Sequence, residues 1–239
     1  MSILGVSGLV RSFGGLVAVD GVDITLNEGE VLGLIGPNGA GKTTLINVIT
    51  GVYLPTAGTI RYRDRDISLL PAHERSRLGI GRTNQTIHPY KDLNLEENIM
   101  VGALFARRRS LKQARSDARE LCNLLGLEGP TRPVSQLSIL EIKKMEIARA
   151  LAIDPKVLFL DEVMAGLNID ETTEVVDTIR RITEERRLAV GVVEHVMHVI
   201  RDLTHTVCVL DAGRIIASGP YESVAADERV IRAYLGGEA

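Results

Sequence analysis

Val31-Leu32-Gly33-Leu34-Ile35-Gly36-Pro37-Asn38-Gly39-Ala40-Gly41-Lys42-Thr43-Thr44 is the stretch on which the reading of the whole chain turns. Its first five residues form a short continuous apolar run, the pattern of a strand buried on both faces. Residues 42–50 then take on helical character, so the glycine-rich segment joins a buried strand to a helix N-terminus. The spacing is glycine, four residues, then Gly-Lys-Thr, which is the pattern of a phosphate-binding loop in the context that confirms it. Glycines let the backbone curl until successive N–H groups point at one polyphosphate, and the helix N-terminus adds the positive end of its dipole. Lys42 is expected to meet the β and γ phosphates, and Thr43 to offer its hydroxyl to the Mg²⁺ that bridges them. The expected nucleotide-binding set is therefore Gly36, Pro37, Asn38, Gly39, Ala40, Gly41, Lys42, Thr43 and Thr44.

Outward from this loop, residues 157–160 and 189–193 repeat the buried-run pattern. Between them Val175, Val176, Ile179 and Ile182 recur at steps of three or four, as on one face of a helix. Buried strands alternating with amphipathic helices imply a parallel α/β core. The run 157–160 delivers Asp161 and Glu162 at its carboxyl end, the edge of an open α/β sheet at which ligands bind. Asp161 suits a Mg²⁺ held through water, and Glu162 suits a general base that polarises an attacking water.

The remaining segments give the organisation. Residues 3–26 alternate apolar and polar around Phe13-Gly14-Gly15, as antiparallel strands joined by a tight turn do. Residues 207–210 and 215–217 flank Asp211-Ala212-Gly213-Arg214, a second hairpin signal. Residues 88–150 read as mostly helical and more polar. The expectation is one domain: an α/β P-loop NTPase with a mostly parallel central sheet and an antiparallel β subdomain. Residues 1–87 and 151–239 would form its nucleotide-binding core, and residues 88–150 an inserted α-helical subdomain.

Composition narrows the function. The chain of 239 residues is 45% hydrophobic and 25% charged, which excludes whole-chain disorder and supplies a sizeable core. Lys and Arg total 28 against 31 acidic residues, a net charge of −3, so no general basic field points to nucleic acid. No apolar run approaches the roughly 18 residues of a membrane-spanning helix, and the N-terminus has no secretory pattern, so a cytosolic location is expected. Cys122 and Cys208 are far apart and outside any Cys-x-x-Cys pair, which reads as buried free thiols. Aromatics make up only 3% and Trp is absent, which argues against a surface built to stack bases or sugars.

With these residues in view, the sequence resembles the nucleotide-binding subunit of an ABC transporter over nearly its whole length, with six family elements in the family's order. The resemblance implies that Phe13 stacks on adenine and that Gln85 senses Mg²⁺ and the γ-phosphate and hinges the helical subdomain. Leu137-Ser138-Ile139-Leu140-Glu141 sits where the signature Leu-Ser-Gly-Gly-Gln belongs, so Ser138, Ile139, Leu140 and Glu141 are expected against the ATP of a partner subunit. Asp161 and Glu162 follow, then Ala165-Gly166-Leu167-Asn168 at the dimer-contacting loop. His195 comes last, as the switch histidine that contacts the γ-phosphate and orients water. ATP, with Mg²⁺ held by Thr43, Gln85 and Asp161, is the implied cofactor set. Partners follow from the family's architecture: a second ATPase subunit, the same or different, closing over two ATP molecules, and transmembrane permease subunits. The chain is then expected at the cytoplasmic face of the membrane as a peripheral subunit.

Phe13 to Val19, Ala165-Gly166-Leu167-Asn168, Glu194-His195 and the closing Val230-Ile231-Arg232-Ala233-Tyr234-Leu235-Gly236 are most similar to ATPases of branched-chain amino acid importers. Subunits serving urea or amide import and lipopolysaccharide export share much of that tail and form the alternative. A soluble, non-transport ABC ATPase is a further alternative, without the second ATP-binding half, basic arms or zinc insertions such proteins carry. A P-loop GTPase or small-molecule kinase is disfavoured because no Asn-Lys-x-Asp base-reading element is present.

Several positions depart from the family pattern. Ile139 and Leu140 replace two glycines and Glu141 a glutamine, yet Ser138-x-x-Glu141 remains a capping box, so a helix from Ile139 through Arg149 should start correctly. Branched side chains remove the close backbone approach of glycine. The ATP site built on this signature is expected to be weak in hydrolysis, which favours a heterodimer. Asn84 and Val163-Met164 are smaller departures. Arg107-Arg108-Arg109 with Lys112 and Arg115 reads as a solvated helix face, with a docking face for a transmembrane partner or lipid headgroups as the alternative, and Glu194 with His195 and His198 lacks the further ligands of a metal site.

Overall fold

The computed structural model describes residues 2–83 and 89–235. Apolar alternation builds β1 (Ser2–Phe13) and β2 (Leu16–Asn27) into an antiparallel hairpin whose register pairs buried residues, Leu4 with Leu26 and Val6 with Ile24. The buried run Val31–Ile35 is β3, and α1 (Lys42–Ile49) follows the glycine loop. Next come β4 (Ala57–Tyr62), β5 (Arg65–Asp66), α2 (Ala72–Leu78) and the short β6 (Ile80–Arg82). Three helices succeed one another, α3 (Leu95–Ala106), α4 (Leu111–Leu124) and α5 (Ile139–Leu151). Then β7 (Val157–Asp161), α6 (Ile169–Arg186), β8 (Ala189–Val193), α7 (Met197–Leu203), β9 (Thr206–Asp211), β10 (Arg214–Gly219), α8 (Tyr221–Ala225) and α9 (Glu228–Leu235) complete the chain.

The strands form two sheets. One is four-stranded and antiparallel in the order β2-β1-β4-β5. The other has six strands in the order β10-β9-β3-β8-β7-β6, parallel from β9 to β6, with β10 added antiparallel through the expected hairpin. Alternation along each central strand explains its continuous apolar run. Leu158, Leu160, Val190 and Val192 face one core, which is shared with α3, α4, α5 and α6. Val157, Phe159, Ala189 and Val193 face the other, shared with α1 and the antiparallel sheet.

The helices between residues 88 and 150 are started by side chains. Asn94, Ser110 and Ser138 each cap a helix and complete a capping box with Glu97, Gln113 and Glu141. In the arginine run Arg108, Lys112 and Arg115 are exposed, while Arg107 and Arg109 turn back onto Asp117 at 3.0 and 3.3 Å and Arg115 reaches the buried Glu96 at 3.2 Å. Cys122 and Cys208 are buried free thiols, and burial pushes the Cys122 thiol up to about 11. Among the described residues no helix is long and apolar enough to cross a membrane.

Candidate nucleotide site

Strand order assembles the site. β8 lies between β3 and β7, and its last residue, Val193, pairs with Leu34 of β3 on one side and Asp161 of β7 on the other. The carboxyl ends of the three strands are therefore flush, although the loop after β3 lies more than a hundred residues of chain before the acids after β7. The loop after β3, the acids at the end of β7 and the segment after β8 all leave the sheet at one edge.

The loop needs glycine at two places for stated reasons. Gly36 has φ +148°, and a Cβ there would lie 2.0 Å from the carbonyl oxygen of Leu210. Gly41 has φ +102°, and its Cβ would lie 2.3 Å from the carbonyl oxygen of Ala18. Lys42 is buried, and its Nζ donates to the carbonyls of Gly36 at 2.7 Å and Pro37 at 2.9 Å. Burial lowers its pKa, against the pull of Glu162 and Asp161. Beside the loop is an open cleft of about 460 Å³, lined by Asn38 to Thr44 together with Phe13, Val17, Ala18 and Glu162.

Asp161 is 1% exposed, and neither of its carboxylate oxygens has a hydrogen-bond partner among the described residues. Its backbone N–H donates to Thr83 Oγ1 at 3.0 Å, and the nearest cation is Arg82, 4.0 Å away. Burial pushes its carboxyl above the ordinary range against the pull of Arg82, and the neighbouring Glu162 pushes the same way. A buried carboxylate whose two oxygens accept no hydrogen bond among the described residues, near a threonine-bearing phosphate loop, is a donor set suited to a hard divalent cation completed by phosphate oxygens. The residues therefore fit Mg²⁺ with a nucleotide.

Glu162 adopts φ +53°, a left-handed conformation uncommon for a residue with a side chain. Its backbone is held by an N–H bond to Val193 O at 2.9 Å, and its Oε1 meets His195 Nε2 at 3.0 Å. A half-exposed carboxylate–imidazole pair at the mouth of a phosphate cleft is equipped to accept and hold a proton. Phe13 stands at the end of β1 on the rim of the same cleft. Arg11 lies over its ring at 4.4 Å, and Tyr53 meets it edge-on at 5.1 Å. Gln85 lies outside the described residues.

The signature segment is not in this cleft. Ser138 caps α5, with Glu141 N–H donating to Ser138 Oγ at 3.2 Å and Ser138 N–H to Glu141 Oε2 at 2.8 Å. Arg132 pairs with Glu141 and holds its carboxyl below the usual range. The two branched residues take different roles: Leu140 packs onto the core, while Ile139 is 62% exposed at the helix N-terminus.

Four residues to which sequence reasoning gave no part in the site belong to its frame. Thr83 and Arg82 reach Asp161 from β6. Lys143 Nζ donates to the Glu162 carbonyl at 3.2 Å, and Glu194 Oε1 accepts from the Met164 N–H at 2.9 Å. Glu194 was visible only as the neighbour of His195, and the other three carry no local signal.

A model of the ABC transporter family matches residues 19–165, and one described as branched-chain amino acid ATP-binding cassette transporter matches residues 214–239. The high-affinity branched-chain amino acid transport ATP-binding protein LivG of Salmonella typhimurium is 36% identical, covering 98% of each chain. Its counterpart BraF of Pseudomonas aeruginosa is 37% identical with 98% of each chain covered. The lipopolysaccharide export system ATP-binding protein LptB of Haemophilus influenzae is 37% identical over 99% of this chain and 98% of its own. Among solved structures, the ADP conformation of MJ1267, an ATP-binding cassette of an ABC transporter, superposes with a TM-score of 0.89 at 30% identity, covering 99% of both chains.

Proposed function

Because the chain belongs to the ABC transporter family of ATP-binding subunits, ATPases that drive transport, we propose that it powers the import of branched-chain amino acids. Hydrolysis takes place in the cleft beside its own phosphate loop. The observation that carries the hydrolytic assignment is the 3.0 Å pair of Glu162 and His195 at a cleft also lined by Lys42 and Thr43.

Each residue then has a task. Lys42 gives up its two loop carbonyls and compensates phosphate charge, while the loop N–H groups and the N-terminus of α1 hold the polyphosphate. Phe13, with Arg11 over its ring, takes adenine. Thr43 and Asp161, with Gln85, would hold Mg²⁺, which would supply positive charge to offset that of the phosphates. Glu162 accepts a proton from the attacking water as the new P–O bond forms and the bond to ADP breaks, and His195 keeps that water in line. The exposed Ile139 stands where Ser138 and the start of α5 meet a second subunit's ATP, which favours a partner with a different signature and thus a heterodimer. The assembly sits on transmembrane permease subunits at the cytoplasmic face.

The cargo assignment rests on the tail. Relatives of both transport classes match at 36–37% identity, whereas residues 214–239 match the branched-chain family. Two measurements test the reading. Glu162→Gln in the assembled transporter should retain ATP binding and stall hydrolysis, and an unchanged turnover rate removes Glu162 from the role of base. Deleting the chain should abolish branched-chain amino acid uptake. Unchanged uptake, with lipopolysaccharide-export proteins co-purifying from membranes, would transfer the assignment to that class.

A further inference from the structure

The backbone from Glu162 to Met164 is gripped from two sides by buried charged side chains that the hydrolytic reading does not use. From α5, the helix that the signature opens, Lys143 Nζ donates to the carbonyl of Glu162 at 3.2 Å. From the end of β8, Glu194 accepts the Met164 N–H at 2.9 Å. Lys143 is 9% exposed and Glu194 2% exposed, so neither charge is a surface accident. Burial lowers the Lys143 pKa, and the charges of Glu194, Glu162 and Glu146 pull the other way. The braced segment begins at Glu162, whose left-handed backbone sets the direction in which its carboxylate leaves the chain.

We propose that Lys143 and Glu194 are positioning residues that fix the Glu162 backbone, and that Lys143 couples the two ATP sites of the dimer within one subunit. The inference rests on the assignment of Glu162 as base. α5 presents its N-terminus to the partner's ATP, whereas Glu162 acts on this subunit's own. A movement of α5 when its Ser138 end engages the partner's nucleotide is passed through Lys143 to the Glu162 carbonyl, one peptide unit from the base. The side chain reaching from signature helix to base is thus a physical link between sites that share no ligand.

The test uses the full chain and the transporter purified with its permease subunits. In the nucleotide-free full chain, Lys143→Met should speed amide hydrogen exchange over residues 163–165 by about fivefold, the effect of losing one buried hydrogen bond. In the transporter it should lower kcat on the order of tenfold while leaving KM for ATP within about twofold, because the base is misaligned and the phosphate loop is not. The Hill coefficient for ATP should fall toward one, and Lys143→Arg should recover both kcat and cooperativity. Glu194→Ala should reproduce the exchange and kcat effects from the opposite side, and it decides the positioning role should Lys143→Met fail to fold; Lys143→Gln, shorter and uncharged, then decides the coupling, its Hill coefficient falling as expected for Lys143→Met. In Lys143→Met, unchanged exchange together with unchanged kcat overturns the brace, and a wild-type Hill coefficient in Lys143→Met or Lys143→Gln overturns the coupling. Glu162→Gln is measured alongside: turnover at the wild-type rate there means the assignment of the base has failed, whereas a stalled Glu162→Gln with a fully active Lys143→Met means that the brace alone has failed.

Discussion

Asp161→Asn should make the cation-free protein more stable while destroying its response to MgATP. Both carboxylate oxygens of Asp161 are buried without a hydrogen-bond partner among the described residues, and the nearest cation, Arg82, is 4.0 Å away. The attraction of Arg82, Lys42 and His195 opposes burial and does not offset it, so the carboxyl pKa stands above the ordinary 3.8. A carboxyl that binds its proton more tightly when folded than when unfolded costs stability once it ionises. That cost is absent below the unfolded value, grows as pH rises toward the raised value, and is complete above it. An amide has the same shape and no charge to desolvate. With its own unpaired N–H groups set against the gain, the net stabilisation near neutral pH is about 1–2 kcal/mol. In a chain of this size that raises the unfolding midpoint by about 2–8 °C. Ligand reverses the order: at a hundredfold excess over Kd, MgATP adds about 2.7 kcal/mol to the wild type. The variant, lacking the proposed cation ligand, forfeits most of it. Thermal unfolding in chelator at pH 5 and pH 7.5, and again with MgATP, reads all of this. The advantage of the variant should widen from the lower to the higher pH and disappear with MgATP. A variant that melts below the wild type in chelator at pH 7.5, or that gains the same MgATP shift, refutes the reasoning.

Three further expectations follow from the same structure. Ile139→Gly removes an exposed branched side chain from the N-terminus of α5; it should raise ATP turnover of the self-paired chain while costing about 0.5–1 kcal/mol of helix stability, and no gain in turnover would mean that Ile139 is accommodated. Arg11→Ala uncovers the Phe13 ring and should weaken ATP binding by about 2–5-fold through loss of a cation–π contact, read by calorimetry, with equal affinity counting against Phe13 as the adenine platform. Burial holds the Cys122 thiol at about 11, so alkylation of the native protein at pH 7.5 should be slow and should track unfolding, whereas rapid modification would contradict its placement.

What could be read from the sequence and what could not divides along physical lines. β3, β7 and β8 each have five consecutive buried residues, and such a run announces itself without knowledge of neighbours. The loop and the acids follow directly from those strands. β4 was not legible, because only Ile60 and Tyr62 of its six residues are buried, and β6 was not, because three residues are too few for a period. α2 hides behind a buried charge: Arg75 is 0% exposed and gives its guanidinium to the carbonyls of Val48, Ile49, Ser68 and Leu70, an arrangement that amphipathic patterning reads as a polar residue on the wrong face. In the site, Phe13, Lys42, Glu162 and His195 belong to local motifs. Thr83 is different: it meets Asp161 across 78 residues of chain, and its role comes from β6 lying beside β7.

The position of β8 explains why two adjacent residues serve opposite ends of one apparatus. Because β8 separates β3 from β7, a segment leaving its carboxyl end passes between the phosphate loop and the acids. Val193 is already committed to both neighbours through its register with Leu34 and Asp161, so the next residues are the first free to act. Glu194 points inward, 2% exposed, and holds the Met164 amide; His195 points outward and pairs with Glu162. β8 ends at Val193 and His195 lies in a bend, so the two residues take their opposite directions just past the strand, and a slip of one residue would exchange them. Here such a slip would put an imidazole against a buried amide that needs an acceptor and a second carboxylate beside Glu162, where like charges repel. The Glu194-His195 order therefore matches the two environments met just past the end of β8, and the part of the motif that shows no chemistry of its own is what holds the chemical part in place.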